Sequence, residues 1–148
     1  MNTGSSRRND GGQTGFWAIA QTQPEKTALV ADDGQAMSFG ELDERVNRLS
    51  HGLRALGLQY GDGIAMLMHN DPVWIEAFLA AHQIGLYLTP INYHLTGPEV
   101  AYIIGNCEAK VFIAHERHAA VALKAVEELG YDRSRCFAVG KIPGFRDY

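Results

Sequence analysis

The chain has 148 residues, 46% of them hydrophobic and 20% charged, with a formal net charge of −4; this suits one globular domain with a buried core. That charge gives no electrostatic footing for nucleic acid or an anionic membrane, and no apolar run approaches the roughly 20 residues of a transmembrane helix. The two cysteines, Cys107 and Cys136, make neither a disulfide framework nor a four-thiolate zinc site, so free thiols in a reducing cytoplasm are expected.

Residues 1–15 are Gly, Ser, Asn and Arg without periodicity, which predicts a disordered tail, with the folded part over 16–148. Thr3-Gly4-Ser5-Ser6 resembles a phosphate loop only faintly, having no strand before it and no lysine after it. Ser6-Arg7-Arg8 is followed by polar residues where an export signal needs an apolar stretch. A short helix is predicted from Phe16 to Thr22, stopped ahead of Pro24. A strand follows over 27–31, and Asp33-Gly34 is a hairpin turn leading back through Ala36. The pair Asp32-Asp33 has the look of the acidic pocket of a response-regulator receiver. Asp71, however, follows only one helix, and Lys110 stands at the start of its strand rather than after it, so turn residues are the better reading.

The stretch 37–62 organises the chain. Ser38 and Glu41 make a capping box, with Met37 and Leu42 at staple positions. Phe39, Leu42, Val46, Leu49, Leu53 and Leu56 recur every three or four residues, one apolar stripe of a helix. Glu41 to Arg45 and Glu44 to Arg48 are spaced as i,i+4 ion pairs. Gly57 suits the left-handed position past the helix end, with Leu58 folding back on Leu53.

Beyond the turn at Tyr60-Gly61-Asp62-Gly63, residues 64–68 are a continuous apolar strand of the kind covered on both faces in a parallel sheet. Asn70 or Asp71 caps the next helix, with Pro72 in its first turn; Trp74 and Phe78 read as core, and Gly85 is the stop. A short strand over 86–89 is expected to break at Pro90. Thr96 and Glu99 form a second capping box for a helix through Ile104. A strand over 110–114, a helix over 118–129 stopped by Gly130, and a last strand over 135–139 complete the pattern. Strand and helix alternate, which predicts an α/β fold: a parallel sheet with flanking helices.

Several ordered segments carry a family resemblance. They are Ser38-Phe39-Gly40-Glu41-Leu42, Asn47-Arg48-Leu49, Gly57-Leu58-Gln59-Tyr60-Gly61-Asp62, His69-Asn70-Asp71, the run from Gly85 to Asn92, Leu95 to Ile104, and Cys107 to Ile113. In this order they resemble the N-terminal part of AMP-forming acyl-CoA synthetases, bacterial fatty-acyl-CoA ligases in particular, over about 16–148. The resemblance implies the first subdomain of an enzyme that joins a carboxylic acid to ATP with Mg²⁺ and passes the acyl-adenylate to coenzyme A. Gathering a carboxylate and a triphosphate needs cationic and backbone donors. The family places these on a hydroxyl-rich loop ending in lysine, a ribose-binding aspartate and a C-terminal lysine. None of these motifs is found: Gly140-Lys141-Ile142-Pro143 is short and lacks hydroxyls, and Asp62, Asp71 and Asp132 read as turn residues.

No residue is therefore assigned a catalytic, cofactor-binding or metal-binding role, and the chain by itself is expected to be inactive. His115 and His118 share a helix-like spacing, but no third histidine lies at ligand spacing in the sequence. His69, His82 and His94 read as surface or boundary residues, and Pro90-Ile91-Asn92 as a strand-end loop where open α/β sheets bind ligands. The alternative to a ligase portion is a non-catalytic interaction module. It would self-associate or pair with another synthetase chain through apolar surface left open on strands 64–68 and 111–114.

Overall fold

A computed structural model describes residues 15–148. The predicted tail, apart from Gly15, lies outside the described residues, as do Thr3-Gly4-Ser5-Ser6 and Ser6-Arg7-Arg8. The chain divides into two compact units, 1–44 and 45–148, with the division inside one helix.

In the first unit, α1 (Phe16–Thr22) precedes a hairpin of β1 (Thr27–Val30) and β2 (Ala36–Ser38). The Asp33-Gly34 turn closes it, Gly34 taking φ +82° and the Asp33 carboxylate accepting from the Gln35 amide at 2.9 Å. The long helix α2 (Phe39–Ala55) then begins on the predicted capping box. The Ser38 amide donates to Glu41 Oε2 at 2.8 Å and the Glu41 amide to Ser38 Oγ at 3.2 Å. Two of the orphan amides that every helix start leaves are thus satisfied by side chains.

In the second unit α2 ends as a Schellman cap. Gly57, at φ +86°, donates to Arg54 O at 2.9 Å and Leu58 donates to Leu53 O at 3.2 Å. The elements that follow are β3 (Gly63–Leu67), α3 (Pro72–Ile84), β4 (Tyr87–Ile91), α4 (Gly97–Asn106), β5 (Ala109–His115), α5 (Ala119–Leu129), β6 (Cys136–Val139) and β7 (Arg146–Asp147). Short 3₁₀ turns at Glu116–His118 and Arg133–Arg135 precede α5 and β6. The strands form one parallel sheet in the order β4-β3-β5-β6-β7, as the alternating pattern predicts.

That order fixes the layers. The β3→β4 connection runs one way along the sheet, while β4→β5 and β5→β6 run the other. Right-handed crossovers then put α3 on one face and α4 with α5 on the opposite one. The core follows suit: Ala65, Leu67, Phe112 and Ala114 of the sheet cluster with Val100 and Ile104 of α4 and Ala122, Ala125 and Val126 of α5. On the other side α3 packs along α2, through Ser50 Oγ to Ala80 O at 3.4 Å and the Gln83 amide to Asn47 Oδ1 at 2.8 Å. All five residues of β3 are buried, and each large aliphatic side chain so enclosed contributes about 1.5–3 kcal/mol.

Five sequence expectations need correction. The strands expected to lie open are covered, Ile64, Leu67, Val111, Phe112 and Ala114 having no exposure, because helices on both faces already enclose them. β4 runs through Pro90 to Ile91; it is an edge strand, where a missing amide is tolerated. Phe78 is 46% exposed and Trp74 only half-buried, since the apolar residues of α3 spread beyond the side that faces the core. A strand not foreseen, β7, pairs Arg146 with Phe137 and Asp147 with Ala138. Finally, Glu41 folds back on its cap while Arg45 Nη1 reaches Glu76 Oε1 at 3.1 Å, in place of a Glu41–Arg45 pair.

Candidate functional site

In an open parallel sheet the crevice for ligands lies at the carboxyl ends of the strands, where the order reverses. Here that point is between β3 and β5, whose connections leave toward opposite faces. His69 stands just after β3 and His115 is the last residue of β5. Strand pairing sets Leu67 beside Ala114, and so delivers both imidazoles to one place. Their ring centroids are 4.4 Å apart.

Asp71 joins them as the cap of α3. Its Oδ1 accepts from the Val73 amide at 2.9 Å, leaving Oδ2 available. One ligand atom each of His69, Asp71 and His115 lie within 4.8 Å of one another. The 3₁₀ turn after β5 brings His118 alongside, its ring 5.8 Å from that of His69 and stacked on Tyr93 at 5.2 Å. Tyr93 lies in the loop after β4, two residues beyond Ile91, so the strand-end loop marked by Pro90-Ile91-Asn92 reaches the same crevice. His94 is exposed beside Tyr93, ring to ring at 4.3 Å, and His82 sits on α3 stacked on Phe78.

The surroundings of His115 and His118 favour their neutral forms. Burial, followed by the neighbouring His69, lowers the pKa of His115; burial, His69 and His115 in turn lower that of His118. Hydrogen bonding is incomplete. His115 Nδ1 accepts from the Arg117 amide at 3.1 Å, but His69 Nδ1 and His118 Nε2 are buried atoms without a partner. An unmet buried polar atom costs about 1–3 kcal/mol, so two of them at one crevice make it a candidate place for a bound water, ion or ligand.

A second depression, of about 500 Å³, lies at the opposite end of the sheet against Lys110, Tyr131, Asp132 and Arg135. Most of its polar groups are already engaged: Lys110 Nζ with Asp62 Oδ1 at 2.7 Å, Tyr131 OH with Ala109 O at 2.7 Å, and Arg135 Nη1 with Leu56 O at 2.7 Å, while Glu108 on its rim is exposed. Asp132 Oδ1 accepts from the Ser134 amide. The switch-point crevice, with unspent nitrogen atoms, is the stronger candidate.

Sequence reasoning paired His115 with His118 and found no third ligand. The signal it lacked was strand order, which brings His69 and Asp71 across from another strand–helix unit. The combination of Asp71, a helix cap, with a histidine directly after an apolar strand was the one local hint.

Fold and crevice together define an open α/β domain with a candidate site at its switch point. A family model described as AMP-binding enzyme matches residues 16–143. Feruloyl-CoA synthase of an Amycolatopsis species is 38% identical over 114 residues, covering 76% of this chain and 23% of that protein. A 3-oxocholest-4-en-26-oate–CoA ligase of Rhodococcus rhodochrous is 36% identical over 94 residues, covering 64% of this chain and 17% of its own length. Among solved structures, a benzoate CoA ligase from Burkholderia xenovorans superposes with a TM-score of 0.77 at 26% identity, over 89% of this chain and 26% of that one. The chain belongs to the AMP-binding enzyme family, and corresponds to the N-terminal part of its CoA ligases. It spans less than a quarter of the feruloyl-CoA synthase and the 3-oxocholest-4-en-26-oate–CoA ligase that it matches.

Proposed function

We propose that this chain is the N-terminal portion of an acid–CoA ligase, one that condenses a carboxylic acid with ATP and Mg²⁺ and transfers the acyl group to coenzyme A. The family match from 16 to 143 carries this reading. The names of relatives include a ferulate and a steroid-acid ligase, so aryl and aliphatic acids are both candidates beside the fatty acids that the sequence resemblance suggests.

The starts of α3 and α4 do not themselves fit the triphosphate. A helix start binds phosphate through free amides, yet Asp71 occupies the start of α3 and Glu99 that of α4, where its Oε2 accepts from the Thr96 amide at 2.8 Å. Each sets a carboxylate where a phosphate would have to sit. Nor does a crevice with two imidazoles suit Mg²⁺, which prefers oxygen. The role assigned to residues 15–148 is therefore to scaffold a site completed by other residues, with no chemical step of its own. A cytoplasmic location is part of the same reading, consistent with no described helix being long and apolar enough to cross a membrane.

The test is acid-dependent exchange of pyrophosphate into ATP. The 148-residue chain alone should give none above a blank, with cinnamic, benzoic and long-chain acids each tried. Adding the remaining portion of a related CoA ligase should restore exchange with at least one acid. Exchange by the chain alone after repurification would overturn the scaffolding role. Failure of every complementing portion to bind or restore activity would overturn the ligase reading. An interaction module is the second reading, favoured by the aromatic column of Trp74, Phe78 and His82 on α3, stacked at 5.7 and 6.3 Å with Phe78 exposed. Self-association would then run through α3, and Phe78→Ser would abolish it in a light-scattering concentration series.

A further inference from the structure

We propose that the crevice at the ends of β3 and β5 is a binding site for a divalent transition-metal ion of the zinc class, held by His69, Asp71 and His115. The donors are two imidazoles and a carboxylate, a set that suits Zn²⁺ and its first-row neighbours and disfavours Mg²⁺ and Ca²⁺. This site is independent of the ligase reading, and its chemistry differs from that of a metal escorting ATP.

Three observations converge. The ligand atoms lie within 4.8 Å of one another, whereas bonds of 2.0–2.1 Å in a tetrahedron set them about 3.3 Å apart. The remaining contraction is within reach of side-chain rotation, because the two histidines sit at strand ends and Asp71 has one oxygen uncommitted. Next, His69 Nδ1 is buried and has no partner, the condition expected of a nitrogen whose partner is an ion. Last, the backbone supports are rigid: β3 and β5 pair along their length and are buried there, and metal sites demand such support.

Binding has an identifiable local consequence. His115 Nδ1 now accepts from the Arg117 amide, so its proton is on Nε2. Ligation through Nε2 moves that proton to Nδ1, and ligation through Nδ1 uses the same lone pair directly. Either way the hydrogen bond from Arg117 opens, and its amide reports on occupancy. His118, stacked on Tyr93, walls one side and leaves the fourth position to water or a ligand oxygen.

The experiment uses the untagged, chelator-treated 148-residue chain titrated with Co²⁺. We expect one equivalent to bind with the visible ligand-field bands of a four-coordinate ion, displaced by Zn²⁺ and indifferent to excess Mg²⁺. His69→Gln and His115→Gln should each weaken binding by more than the roughly 10–100-fold that loss of a supporting group alone causes. His51→Gln, at an exposed position on α2, should leave it unchanged. Should a crevice variant unfold, the wild-type chain still decides: Zn²⁺ must shift the ring nitrogens of His69 and His115 and the Arg117 amide together. Absence of saturable Co²⁺ binding, binding intact in folded His69→Gln, or shifts confined to other histidines would overturn the assignment.

Discussion

Arg45 and Glu76 offer a test of how this fold handles a buried charge. Glu76 is 3% exposed on α3, its Oε1 3.1 Å from Arg45 Nη1 and its Oε2 3.2 Å from the Tyr148 hydroxyl. Arg45 is 52% exposed, so water screens it and the pair is not a closed one. Two unit charges 4 Å apart attract by about 4 kcal/mol at an effective dielectric of 20, but desolvating the carboxylate cancels most of that. Removing the cation is different, because the carboxylate stays behind with a single phenol as donor. Breaking a fully buried pair destabilises by about 3–5 kcal/mol; with half of Arg45 in water the expectation for Arg45→Met falls to about 1.5–3 kcal/mol. Methionine keeps the apolar stem in place, so the loss is one of charge. Glu76→Gln in that background removes the stranded charge while keeping an acceptor for Tyr148, and should recover roughly 1 kcal/mol or more. Urea denaturation of the wild type, both single variants and the double variant gives the coupling directly. An Arg45→Met variant within about 0.5 kcal/mol of wild type, or no recovery in the double variant, would show that water already solvates Glu76 and that the argument from burial fails.

Ser38→Ala should destabilise by ~0.5–2 kcal/mol through loss of the α2 cap, while Glu44→Ala, exposed and outside the box, should shift the urea midpoint little; equal midpoints would remove the reason for starting the helix there. In the native chain a thiol reagent should modify Cys107 and spare Cys136, whose thiol is fully buried and pushed up to about 12 by that burial; equal rates by mass spectrometry would contradict it. The hydrogen bond from Lys110, with that from the Gln59 amide, lowers the pKa of Asp62. Its contribution to stability is thus complete above the ordinary aspartate range and is lost as pH falls through the lower folded value. Asp62→Asn should flatten that acid limb of the stability profile, and an unchanged limb would mean that the pair is solvent-separated.

The parts of this fold that were legible in the sequence are those decided within a few residues. Ser38 with Glu41, Thr96 with Glu99, and Gly57 with Leu58 are local agreements of side chain and backbone, and each appears where expected. What escaped is decided by partners distant in sequence. β7 is two charged residues with no strand propensity; it forms because β6 offers an edge and Phe145 is held near Phe112, ring centroids 6.0 Å apart. Phe78 faces outward because the apolar residues of α3 spread beyond one face, and their spacing does not say which of them looks outward. The histidine crevice was invisible for a similar reason. Its members come from the ends of β3 and β5, neighbours only because β4 was laid on the outer side of β3.

The place of β3 between two parallel neighbours has a consequence in time as well as in space. A strand paired on both sides cannot expose its amides until at least one neighbour has left, so hydrogen exchange at 64–67 should track global unfolding. β4, paired on one side and lacking an amide at Pro90, is free to open sooner. His69 and His115 are thus anchored to the slowest-opening part of the molecule, while Tyr93, which covers His118, rides on a faster one. Exchange faster at 87–91 than at 64–67 would place the entry to the crevice on the β4 side, above a core that stays closed.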